Sequence, residues 1–70
     1  MNESTVGRRQ DACLRAIAAH WRAFGESPTR DELGRALGIT KVSAHLLCVK
    51  LERKGLIHRV PRIHRGLEVL

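Results

Sequence analysis

Apolar residues fall along this chain in three helical stripes, followed by a short alternating run. Across residues 8–24, Leu14, Ile17, Ala18 and Trp21 recur at i, i+3, i+4 and i+7, and Cys13 and Phe24 widen the stripe. That spacing predicts an amphipathic helix. Gly7 serves as its N-cap, Gly25 ends it, and Arg8, Arg15, Ala19 and Arg22 take the opposite face. Trp21 and Phe24, the only aromatic residues, share the spacing of Ile17 and are expected in the core. This argues against RNA-binding sheets and barrels, which depend on exposed rings.

Gly25-Glu26-Ser27-Pro28 reads as a turn, with Pro28 keeping Ser27 extended. Thr29 followed three residues later by Glu32 is a capping box for a second helix, about 30–37, carrying Leu33, Ala36 and Leu37. Gly38 supplies the positive φ that closes it. Thr40 caps a third helix, about 41–54, with apolar positions at Ala44, Leu47, Cys48 and Leu51 until Gly55 stops it. Two short capped helices around a Leu-Gly-Ile turn predict a helix-turn-helix. Beyond Gly55 the period changes to two: residues 56–60 suit a strand, 61–66 a loop, and 66–70 a returning strand with Leu67 and Val69 on one face. The expected fold is α+β, a three-helix winged helix-turn-helix with a C-terminal two-stranded β-hairpin as the wing. Residues 1–70 form one domain, frayed over 1–6, with no repeat or linker.

Seventy residues bury roughly 60% of their unfolded surface, enough for this architecture but not for a deep catalytic cleft. Ser4, Ser27 and Ser43 lack nucleophile motifs and no glycine-rich phosphate cradle occurs. Glu32 is a cap, and Asp11, Asp31 and Glu52 read as helix-surface charges, so the chain is not expected to be an enzyme or to take a cofactor or small-molecule ligand. Thirteen Lys and Arg against seven Asp and Glu leave a net charge of +6, which makes a polyanion the default partner. Cys13 and Cys48 each lie on an apolar helical face, as buried reduced thiols would in a cytoplasmic protein. Residues 1–7 lack the features of a secretion signal. His20, His45, His58 and His64 lack metal-ligand spacing, and no apolar run is long enough for a membrane span.

On a wheel of about 100° per residue, the third helix turns Ala44, Leu47, Cys48 and Leu51 to the core. Its other side carries Val42, Leu46, Val49 and Arg53, flanked by Ser43, His45 and Lys50. Lys41, Ser43, His45 and Lys50 can hydrogen-bond to base edges; Val42, Leu46 and Val49 can only touch a thymine methyl. Two readings follow for those three apolar residues. Either the wing or the first helix partly covers them, or they form an exposed stripe for a second copy, another protein or methyl-rich DNA. Arg53, Lys54, Arg59, Arg62 and Arg65, with His58 and His64, lie within thirteen residues that contain no acid. Such a basic wing suits a phosphate backbone or a minor groove.

Residues 25–39, GESPTRDELGRALGI, resemble the N-terminal DNA-binding domain of LexA repressors, which has a similar G-x-x-PTR-x-E-[IL]-x-x-x-LG segment. Arg9-Gln10, the run LERKGLI over 51–57, and Arg65-Gly66-Leu67 extend the resemblance across about residues 6–70. The PTR-x-E-L…LG segment is fairly specific, whereas LERKGLI is common to many winged helices. The resemblance implies a small transcriptional regulator of the kind that compact bacterial or phage genomes carry. It also implies that the N-terminal half of the third helix lies in the major groove of double-stranded DNA, at Thr40, Lys41, Val42, Ser43, His45 and Leu46. Here the turn after Gly38 is one residue shorter than in LexA, and Val42, Leu46 and Val49 stand where LexA has polar readers. The sequence stops where LexA continues into its serine-lysine self-cleaving and dimerising domain, so self-cleavage is not expected of this chain. One winged helix makes about 5–8 phosphate contacts and binds weakly, so a homodimer, tandem sites or a transcription-machinery partner is expected. A winged-helix scaffold that binds protein through Val42, Leu46 and Val49 is the alternative.

Overall fold

The computed structural model describes residues 7–60 and 66–70. The frayed start expected for 1–6 and the wing tip at 61–65 lie outside the described residues. Among those described, α1 (Arg8–Phe24), α2 (Arg30–Leu37) and α3 (Lys41–Arg53) precede β1 (Ile57–Arg59) and β2 (Leu67–Val69). The strands pair antiparallel with Ile57 opposite Val69, His58 opposite Glu68 and Arg59 opposite Leu67. No helix among the described residues is long and apolar enough to cross a membrane.

Local chemistry sets each boundary. The Thr29 hydroxyl accepts the Glu32 N–H at 3.0 Å while the Glu32 carboxylate accepts the Thr29 N–H at 3.0 Å, the reciprocal capping box. Gly38 closes α2 at φ 71°. Its N–H reaches Arg35 O at 3.3 Å and the Ile39 N–H reaches Gly34 O at 2.9 Å, the paired bonds of a Schellman motif. The same pair recurs after α3, where Gly55 (φ 75°) donates to Glu52 O and Leu56 to Leu51 O.

The core takes residues from every element: Cys13 and Ile17 of α1, Leu33 of α2, Ala44, Cys48 and Leu51 of α3, Ile57 of β1 and Leu67 of β2. Leu14, Trp21, Leu37, Ile39, Leu47 and Leu56 pack around it, partly buried. Cys13 and Cys48 are free, buried thiols. They meet where α1 crosses α3. The Cys13 thiol is pushed well above its ordinary range, first by its hydrogen bond to Cys48 and second by burial. Cys48, the other member of that bond, is drawn down by it, with the Arg30 and Arg59 cations adding to the effect.

Phe24 departs from expectation. It is 69% exposed and lies against His20 in a tilted contact, with ring centroids 4.6 Å apart. Its angular position is right, since seven residues bring a helix back to within about 20°. However, burial fades along the stripe from Ile17 through Trp21, and the last position of α1 lies past the edge of the core.

The two strands are only three residues each, and an isolated hairpin of that size is marginal in water. β2 is held on both edges. Register and ladder alternation direct the backbone of Glu68 to β1 and that of Leu67 outward. There the Leu67 N–H donates to the Ser27 hydroxyl at 2.9 Å and its carbonyl accepts from Trp21 Nε1 at 2.7 Å. The Leu67 backbone on the open edge of β2 is thereby satisfied by α1 and by the turn that follows it.

Candidate nucleic-acid interface

The outer face of α3 begins at its cap. Thr40 Oγ1 accepts the Ser43 N–H at 3.1 Å and donates to Ser43 Oγ at 3.0 Å. Both hydroxyls are therefore engaged with each other at the helix start. Lys41, Val42, His45 and Leu46 follow, all exposed, with Val42 at 68% and Leu46 at 55%. Lys50 and Arg53 continue the exposed face towards the C-terminus. Val49 is half-buried, so the apolar stripe is narrower than the wheel implies and is centred on Val42 and Leu46.

A shallow groove separates the N-terminal turns of α2 and α3, lined by Thr29, Arg30, Asp31, Lys41, Val42 and His45. Helix N-termini carry unsatisfied N–H groups and partial positive charge, which favour an anion. Asp31, the acid in the groove, pairs with Arg35 at 3.2 Å along the helix. Arg30 has its Nε buried without a hydrogen-bond partner among the described residues. Sequence reasoning passed over Arg30 because it looked only at α3 and the wing. The signal was its position: it directly follows the Thr29 cap, at the first position of α2.

Among the described residues around the wing, two cations have partners within the fold. Arg59 Nε meets Glu52 Oε1 at 2.7 Å, both side chains about one-third exposed at 32% and 34%. The acid-free run begins at Arg53, and the carboxylate that neutralises Arg59 sits one residue before it. Lys54 is likewise tied back, with Nζ 2.6 Å from Gln10 Oε1 on α1. His58 is exposed on β1. Arg62, His64 and Arg65 lie outside the described residues.

Helices α2 and α3 joined by a tight turn, with α1 behind them and a hairpin after α3, define a winged helix-turn-helix domain. The chain belongs to the LexA DNA-binding domain family, whose model, described as "LexA DNA binding domain", matches residues 3–66. It is 45% identical over 62 residues to the LexA repressor of Xylella fastidiosa (strain 9a5c), an alignment covering 86% of this chain and 29% of that protein. It is 40% identical over 68 residues to the LexA repressor of Halalkalibacterium halodurans, covering 96% and 33%. The LexA repressor of Bacillus subtilis (strain 168) is 38% identical over 66 residues, covering 93% and 32%. The chain thus spans about a third of the length of the curated relatives it matches.

Proposed function

We propose that this domain binds double-stranded DNA and serves transcriptional repression, the role named for its LexA relatives. In this reading α3 enters the major groove with Thr40, Lys41, Val42, Ser43, His45 and Leu46 towards the bases. Lys50 and Arg53 meet the flanking phosphates, and Arg30 meets a phosphate at the groove between the helix starts. Arg59, Arg62, His64 and Arg65 belong to the wing contact, with Arg59 available once it leaves Glu52. The observation that carries the reading is the charge of the exposed face of α3. Lys41, His45, Lys50 and Arg53 are open to solvent, while Glu52, the only acid in the helix, is engaged with Arg59. A major groove walled by phosphates is the complementary surface.

The test is a titration with random-sequence duplex DNA at two salt concentrations. Binding is expected to weaken as salt rises, with a log–log slope set by the number of phosphates neutralised. Lys50→Ala, Arg62→Ala and Arg65→Ala are each expected to weaken binding to all sequences alike and to flatten that slope by about one unit. Absence of binding at low salt would overturn the proposal.

A further inference from the structure

We infer that α3 selects its site by thymine methyl groups: Val42 and Leu46 each seat on the 5-methyl of a thymine, so the preferred duplex carries two thymines within about two base steps. This rests on the DNA-binding reading above and specifies what the helix recognises. Three observations carry it. The two large side chains at the reading end of α3 are apolar and solvent-facing, at 68% and 55% exposure. The hydroxyls beside them, on Thr40 and Ser43, bond one another at the cap, which leaves the Ser43 proton as the one hydroxyl donor there. Lys41 and His45 are the long polar side chains exposed beside them.

In the major groove the one apolar feature on a base edge is the thymine methyl. Val42 and Leu46 are one helical turn apart, about 6 Å along the axis. Base pairs stack about every 3.4 Å, so the two side chains reach methyls about two steps apart. Charge selects DNA over an apolar protein groove as the occupant. The stripe is bordered by Lys41, His45 and Lys50, and the lone acid of α3 is paired on the far turn.

Uracil tests this directly, because replacing thymine by uracil removes the methyl and leaves base pairing intact. The probe is the tightest duplex selected by the protein from a randomised library, made again with uracil at each thymine in turn. Wild-type protein is expected to lose about three- to fourfold in affinity for each contacted methyl. Leu46→Ala is expected to lose affinity for the parent duplex and to be indifferent to uracil at one thymine. Val42→Ala should be indifferent at another.

Equal wild-type affinity for thymine and uracil duplexes overturns the inference and leaves DNA binding standing. Uracil losses of the same size in wild type and in both alanine variants also overturn it, because they assign the effect to duplex shape. If Leu46→Lys abolishes self-association seen by sedimentation while DNA affinity is unchanged, the face belongs to a second copy and the inference falls. Failure to bind any duplex at low salt removes this inference and the proposed function together.

Discussion

A single methyl group at Gly34 would disturb the angle between α2 and α3. A Cβ built there meets Ile39 O at 2.8 Å and Thr40 O at 3.2 Å, backbone atoms of the turn that launches α3. The Gly34 carbonyl also accepts the Ile39 N–H, so the turn folds back over this residue. Helix propensity favours alanine over glycine by about 1 kcal/mol, whereas forcing a group into a packed site costs about 1–3 kcal/mol. Because the clash is with backbone, the second effect is expected to win. Gly34→Ala should lower the urea midpoint by the equivalent of about 1 kcal/mol, and a raised midpoint would sink the argument. Such a site is hard to see in sequence. Gly38 and Gly55 announce themselves by standing after a helical stripe, but Gly34 sits inside one and reads only as a weak helix former. Phe24 shows the converse: its spacing is that of a core residue, and only the position of the core's edge leaves it exposed.

At the scale of elements, the short hairpin depends on residues far from it in the chain. Its strands are legible from the change of period after Gly55, and the three helices from their stripes and caps, because those signals are local. What clasps β2 is not local. Ser27 lies in the turn before α2 and bonds Leu67, 40 residues away, and Trp21 bonds the same residue from α1. A serine before a proline predicts a turn, and nothing in that spacing names a strand partner. Ser27→Ala leaves the buried Leu67 N–H without its acceptor, a loss of about 1–3 kcal/mol. Amide exchange should then accelerate at Leu67 well beyond the change at Leu33 in α2. Uniform acceleration at both positions would show that the bond supports the whole fold and not the wing in particular.

Over the whole molecule, the excess of positive charge is legible from composition, but its availability is not. Thirteen Lys and Arg against seven Asp and Glu give a net +6, yet Arg59 is paired with Glu52 and Lys54 is hydrogen-bonded to Gln10 at the surface. Sequence windows hide this because Glu52 precedes the acid-free run by one residue and meets Arg59 only after the chain turns at Gly55. The pair separates two effects that net charge confounds. Glu52→Gln removes the one negative charge of α3 and releases the Arg59 guanidinium on β1. An ion pair this accessible contributes at most about 1 kcal/mol to stability, so the thermal midpoint should fall only slightly. DNA affinity at low salt should rise, and the salt slope should steepen by up to about one unit as Arg59 takes a phosphate. Arg59→Ala in the Glu52→Gln background should return the slope to its starting value. If Glu52→Gln instead weakens binding while the domain stays folded, the carboxylate aims Arg59 at the backbone, and the pair is part of the contact surface itself.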